Sequence, residues 1–152
     1  MIYTGPEFTP LVGNFYNEVF TGTVVTIASG DLYPLTTANI SNTPGAFTLI
    51  NNVVTVNEGG VYLVDTVIGV NPDSSGGMSI YINGGSINRA FCVINRANVK
   101  ISGVMTITTI LSLNSGDTVS LVNATNSGST KLLPANDGIP TNNVQLRLVK
   151  VS

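Results

Sequence analysis

The sequence contains no histidine and a single cysteine. The absence of histidine removes the commonest general base and the commonest zinc ligand. Cys92 lies in an apolar, strand-like run, so we expect a buried structural thiol rather than a nucleophile, and one cysteine cannot form an internal disulfide. Since no nucleophile–base pair can be assembled, we expect a protein that is not an enzyme and that holds no cofactor and no metal.

Charge is also scarce, at 9% of the 152 residues, with a net charge of −2. The cations are scattered along the second half of the chain. A phosphate backbone requires clustered positive charge, so nucleic acid is not an expected partner. Apolar stretches stay well short of the ~18–20 residues that span a bilayer, and the first residues lack the basic and apolar regions of a signal peptide. An extracellular location would therefore need another route of export.

The acidic residues lie mostly at positions that we predict to be turns, where Asp has a local structural role. Asp73, Asp117 and Asp137 could supply oxygen ligands to calcium as a minor alternative, although their spacing does not match a calcium loop. The triplets that begin at Asn39 and Asn123 match the glycosylation pattern, which arises readily by chance in a chain of this composition.

The chain is rich in β-strand signals. Hydrophobic residues make up 43% of it, and β-branched residues alternate with small polar ones between short clusters of Gly, Asn, Asp and Pro. Strands are predicted over residues 20–28, 46–50, 53–56, 61–70, 78–83, 87–94, 101–113, 118–124 and 143–151. This spacing predicts an all-β, antiparallel sandwich. A monomer with so little charge would expose much uncharged surface, which favours association of copies.

The strand predicted over residues 61–70 is apolar on both faces. One face can meet the opposite sheet, and the other needs a second cover, for which a neighbouring copy is the simplest candidate. We therefore assign the sheets of the core and of the intersubunit contact to residues Tyr62, Val64, Ile68, Leu111, Leu113, Leu146 and Leu148.

Residues 1–19 form a segment of different character, with two Pro residues and the aromatic side chains Tyr3, Phe8, Phe15 and Tyr16. A disordered tail is normally poor in aromatic residues. The segment could pack on its own domain as an extra edge strand, or it could dock into an adjacent subunit, and a flexible tail is a third alternative. We favour docking, with residues 1–19 as a connector and residues 20–152 as the folded domain.

Two motifs resemble a known family. Gly60-Val61-Tyr62 opens a predicted strand, and Leu113-Asn114-Ser115-Gly116-Asp117-Thr118-Val119 forms a turn followed by a strand. Both resemble the C-terminal heads of BclA-type exosporium proteins, which belong to the C1q/TNF-like jelly-roll superfamily, and the closing strand over residues 144–151 is similar as well. The resemblance implies a homotrimeric jelly roll. The sequence has no collagen-like stalk, which favours direct stacking of trimers.

The resemblance implies a structural, self-assembling subunit of an endospore surface fibre or exosporium layer. Its partners would be copies of itself and an anchoring protein, and its location would be extracellular, on a spore or cell surface. Assembly in a mother cell that lyses would make a signal peptide unnecessary. The alternative is a trimeric head that binds a receptor or glycan, as in a spore adhesin or phage fibre tip. The Asn/Ser/Gly-rich loops disfavour it.

Overall fold

The computed structural model of the chain describes residues 10–41, 43–93 and 101–152, and of residues 87–93 it describes the backbone alone. These residues form β-strands joined by turns and loops. The strands are β1 Val12–Val19, β2 Thr26–Ile27, β3 Thr37–Ser41, β4 Phe47–Ile50, β5 Val53–Val56, β6 Gly60–Val70, β7 Gly77–Ile82, β8 Gly85–Val93, β9 Gly103–Leu113, β10 Thr118–Val122, β11 Thr130–Lys131 and β12 Thr141–Lys150.

Ten of these strands form two five-stranded antiparallel sheets. The first sheet has the order β3-β1-β12-β6-β9, and the second has the order β4-β5-β10-β7-β8. The chain passes back and forth between the sheets, as in a jelly roll. The short strands β2 and β11 pair with each other outside both sheets. The predicted all-β, antiparallel jelly-roll sandwich is confirmed.

The core lies between the two sheets and follows the two-residue period of the strands. In β6 the side chains of Tyr62, Val64, Ile68 and Val70 are fully buried, and so is Thr66 between them. The Thr66 hydroxyl donates to the carbonyl oxygen of Ile107 on β9 at 3.1 Å and accepts from the amide of the same residue at 3.0 Å. This buried polar group is therefore satisfied, and it ties the two strands together.

Three aromatic rings join the sheets at one end of the core. The ring of Phe47, on the second sheet, packs edge-on against Phe15 and Tyr62 of the first sheet, with centroid distances of 5.6 and 6.0 Å. Gly13 leaves room for these rings, because a Cβ atom there would lie 2.7 Å from the Phe15 ring and 2.9 Å from that of Phe47. Aromatic pairs in this geometry contribute beyond their buried area, typically by about 0.5–1.5 kcal/mol.

Two hairpin turns have the backbone that their residues predict. Asn51 and Asn52 both have positive φ between β4 and β5, and so do Asn83 and Gly84 between β7 and β8. Positive φ at both central positions defines the turn that matches the twist of a two-residue hairpin, and Asn and Gly tolerate it best.

The structure corrects the start of the sequence prediction. Residues 12–19, placed in the connector, form β1, which pairs with β12 on one side and β3 on the other. The folded domain therefore includes these residues. The strand predicted over residues 20–28 is confined to Thr26–Ile27, and β3 and β11 were missed.

Candidate interaction surface

The outer face of the first sheet, which is turned away from the second sheet, is arranged in rows by strand register. Ile110 of β9, Leu63 of β6, Val149 of β12 and Val12 of β1 lie side by side across four strands. Ile110 is 64% exposed, and the other three side chains are half-buried. We call these four residues the apolar row. It is a continuous apolar strip that the second sheet does not cover.

A polar row lies next to the apolar row, and it contains a charge pair. Asp65 of β6 stands beside Arg147 of β12 and Thr108 of β9. The Thr108 hydroxyl donates to Asp65 at 2.9 Å, and the Arg147 guanidinium lies 3.9 Å from the same carboxylate. A partly exposed pair of this kind adds about 0–1 kcal/mol to stability. Its more important effect is that the two charges cancel, so that this part of the face does not repel another copy.

The next rows continue toward the end of β6. Val67 lies between Thr106 and Gln145, and Tyr16 of β1 follows Gln145 in register. Farther along, Gly69 lies under the Leu133 side chain, because a Cβ atom at residue 69 would stand 2.7 Å from Leu133 Cδ1. The outer face therefore has an apolar row, a polar row and a mixed row, and these three rows carry little net charge.

Strand β9 forms one edge of the first sheet. Its eleven residues, Gly103–Leu113, include no charged residue and no proline, and its pairing with β6 runs without a register shift. Sheet edges that stay free in solution usually carry a charge, a proline or a bulge, which prevents pairing with another chain. The absence of all three from β9 is typical of an edge that is covered in an assembly.

The residues assigned from sequence to the core and the intersubunit contact lie inside the single subunit. Tyr62, Val64, Ile68, Leu146 and Leu148 are fully buried, Leu113 is 3% exposed and Leu111 is half-buried. They face the second sheet. The side chains of the same strands that another copy could contact are the alternate ones, on the outer face.

The four aromatic residues of the predicted connector are separated by the structure. Phe15 is fully buried in the core of its own domain, and Tyr16 is half-buried on the outer face of the first sheet. Tyr3 and Phe8 lie outside the described residues, as does the side chain of Cys92. Only residues 1–9 therefore remain as a candidate connector. Successive side chains of a strand point to opposite faces of the sheet, which explains why Phe15 lies in the core and Tyr16 on the outer face.

The three aspartates considered for calcium are not brought together. Asp117 lies in the turn between β9 and β10, at the opposite end of the sandwich from Asp73 and Asp137. Within the described ranges, no three His, Cys, Asp or Glu residues are grouped as a metal site would require. Asp73 and Asp137 have positive φ, which fits the turn role predicted for them.

Asp117 and Tyr62, which lie at the same end of the sandwich, have perturbed pKa values. Hydrogen bonds from the Asn83 side chain at 2.8 Å and from the Asn114 amide at 2.7 Å lower the pKa of Asp117. Burial, with a smaller contribution from the charge of Glu58, raises the pKa of Tyr62, whose hydroxyl donates to the Glu58 carbonyl oxygen at 2.6 Å. The bond from Asn83 ties the β7–β8 turn to the β9–β10 turn, so the lowered pKa of Asp117 has a structural cause.

Asn123, in one of the two possible glycosylation triplets, is fully buried and has a structural role. Its amide group donates to the carbonyl oxygens of Ile27 and Gly128, both at 3.0 Å, and its side-chain oxygen accepts from the amide of Gly77 at 3.0 Å. The folded chain therefore gives no access to this side chain. Asn39, in the other triplet, is exposed on β3.

The sheet orders and the core together define a TNF/C1q-like jelly roll, and solved structures of that fold are similar to this chain. Eiger TNF from S. frugiperda has a TM-score of 0.62 at 15% identity, covering 93% of this chain and 92% of its own. Murine APRIL has a TM-score of 0.53 at 11% identity and covers 94% and 100%. Pika GITRL has a TM-score of 0.53 at 12% identity and covers 94% and 96%.

At such low identity, these likenesses establish the fold alone. No protein-family model matches the sequence, and no curated protein matches it. In the described part of the chain, no helix could span a membrane.

Proposed function

We propose that this chain is a structural, self-assembling subunit that forms a homotrimer and builds a surface fibre or layer of a bacterial endospore. The observation that carries the proposal is the apolar row on the outer face of the first sheet, which the second sheet does not cover, next to an edge strand that contains no charged residue and no proline. Burying apolar surface contributes about 25 cal/mol per Å². A partner copy removes this surface from water without exposing a new one.

The outer face of the first sheet and the edge strand β9 suggest how copies meet. If the β9 edge of one copy lies on the outer face of the next, each copy uses two different surfaces, and such a contact closes into a ring when its rotation permits. A ring of three is supported by the resemblance of Gly60-Val61-Tyr62 and of the turn at residues 113–119 to BclA-type heads. The endospore location rests on the same resemblance.

Residues 1–9 are proposed to link one trimer to the next. They precede β1 and contain Tyr3 and Phe8, together with Met1 and Ile2 and one charged side chain, Glu7. This composition is suited to burial against a partner. An anchoring protein at the base of the fibre is a further proposed partner.

The test measures mass and shape. Negative-stain microscopy should show filaments for the full chain, and light scattering coupled to size exclusion should give the mass of three copies for the chain that lacks residues 1–9. Deletion of residues 1–9 should leave trimers and remove the filaments. The deletion should end at residue 9, since removing Phe15 would open the core. A monodisperse monomer at high concentration would refute the trimer, and normal filaments from the deleted chain would refute the connector.

A second candidate, a trimeric head that binds a receptor or glycan, is favoured by one observation. Phe20 is 67% exposed and Ile139 is 68% exposed, on loops at the end of the sandwich away from β6 residue Gly60. Exposed aromatic side chains on loops are typical of binding surfaces. Reproducible hits on a glycan array that are lost in a Phe20→Ser variant would support this function over the structural one.

A further inference from the structure

The large apolar side chains that remain exposed are concentrated at one end of the sandwich. We call it the loop end: it is the end where β6 finishes at Val70, where β9 begins at Gly103 and where β12 begins at Thr141. Of the nine such side chains in the described ranges, six lie there: Phe20, Val24, Val25, Ile101, Val104 and Ile139. Four of the six belong to two loop segments, and we call Phe20, Val24, Val25 and Ile139 the loop-end patch.

The loop-end patch is held by a hydrogen-bonded arm. Residues 21–27 run beside residues 130–135: the Leu132 amide donates to the Val25 carbonyl oxygen at 2.8 Å and the Ala135 amide donates to that of Thr21 at 3.0 Å. The arm is tied to the first sheet, because the Leu133 amide donates to the Gly69 carbonyl oxygen at 3.0 Å. Little backbone freedom is left to lose when a partner binds.

A second tie comes from two buried asparagines. Asn143 of β12 donates to the Leu133 carbonyl oxygen at 2.8 Å, and its side-chain oxygen accepts from Asn17 of β1 at 2.8 Å. Asn17 lies at the register shift just before Phe20. Both chain segments that carry the patch are therefore fixed to the sheet, and the patch is a preformed surface.

The described part of the chain begins at the other end. The Leu11 carbonyl oxygen accepts from the Lys150 amide at 2.9 Å, near the point where β6 begins. The eight residues of β1 then carry the chain to Phe20, a rise of about 25 Å at ~3.3 Å per residue. Within one copy, Leu11 and the loop-end patch thus lie at opposite ends of the same strand.

We infer that the loop-end patch receives residues 1–9 of a copy in the next trimer, a proposal that rests on the fibre function proposed above. The segment brings Met1, Ile2, Tyr3 and Phe8 to a surface that exposes four large apolar side chains, among polar ones such as Thr23 and Asp137. Contacts between unlike ends of trimers that stack along one axis do not close into a ring, so they propagate into a filament. Three such contacts at each trimer junction reinforce one another, because the second and third form within an existing complex.

The test combines a double substitution with a matched control. Phe20→Ser and Ile139→Ser remove the two most exposed side chains of the patch, and the control Ile50→Ser changes a side chain that is 63% exposed at the β4–β5 turn. A labelled peptide of residues 1–11 is titrated by fluorescence anisotropy into the chain that lacks residues 1–9. Filaments of the full-length variants are counted by negative-stain microscopy.

We expect the peptide to bind the deleted chain and its Ile50→Ser variant alike, and to bind the double variant at least 10-fold more weakly. The full-length double variant should form trimers without filaments. Equal peptide affinity for the double variant, or normal filaments from it, would overturn the docking site and leave the fibre function standing, provided that deletion of residues 1–9 still abolishes filaments. If the wild-type chain forms no filaments, or if residues 1–9 dock within their own copy, the docking site and the fibre function both fail. Cross-linking of mixed, differently tagged copies distinguishes docking within one copy from docking between copies.

Discussion

Replacing Ile110 by lysine tests whether the outer face of the first sheet is buried between copies. Ile110 is 64% exposed in the single subunit, so its replacement should leave the core intact. Burying an isoleucine completely is worth about 1.5–3 kcal/mol, so covering the part still exposed yields about 1–2 kcal/mol per copy. Three equivalent positions give about 3–6 kcal/mol per trimer, a factor of about 10²–10⁴ in its association constant. The lysine charge adds to this loss.

The assay is light scattering coupled to size exclusion over a dilution series of the chain that lacks residues 1–9, with circular dichroism as a check on folding. The matched control is Ile50→Lys, which changes a 63% exposed isoleucine on the second sheet. The midpoint concentration of a monomer–trimer equilibrium varies as the inverse square root of the association constant. Ile110→Lys should therefore move the trimer-to-monomer transition to concentrations about 10–10²-fold higher, and Ile50→Lys should not. An unchanged transition for Ile110→Lys would refute the assignment of this face. Equal dissociation by both variants would show that the effect is not specific to it.

Two further predictions concern stability. Asn123→Ala leaves a buried amide and buried carbonyl groups without partners, which should cost about 3–5 kcal/mol of stability and lower the melting temperature by about 6–20 °C. The control Asn39→Ala, on the exposed edge strand β3, should change the melting temperature little. Similar melting temperatures for the two variants would contradict the role of Asn123. The lowered pKa of Asp117 means that its carboxylate stabilises the fold at neutral pH. This contribution is complete above about pH 5 and is lost as the pH falls through the lowered pKa of the folded state. The melting-temperature difference between wild type and Asp117→Ala should therefore shrink toward pH 2, and a constant difference would show that the carboxylate charge is not the cause.

Most strands could be predicted because their signals are local. The alternation along residues 61–70 and the turn residues at 51–52 and 83–84 lie within a few positions of one another, and the structure has β6 and the two hairpins there. The fold class followed from the number and spacing of these strands. The face of β6 that enters the core, with Tyr62 and Ile68, was also among the predicted residues.

The candidate surface was only partly predictable. The sequence indicated that β6 needs cover on both faces, but the row formed by Ile110, Leu63, Val149 and Val12 exists only after β9, β12 and β1 pair in one register. These residues are far apart in the chain, and nothing in their local sequence states which strand will be the neighbour. The residues first assigned to the contact are the alternate ones, which face inward.

The sequence by itself determined the strand-and-turn pattern, the shortage of charge and the absence of histidine, since each of these is a property of composition or of neighbouring residues. Only the tertiary structure decided that residues 12–19 belong to the sheet, that Phe15 lies in the core while Tyr16 lies outside, and that exposed apolar side chains collect at the loop end. The physical reason is that strand pairing is a long-range interaction. Val12 and Val149 become neighbours through the packing of the whole sandwich, and the two-residue period of a strand then assigns every side chain to one face or the other.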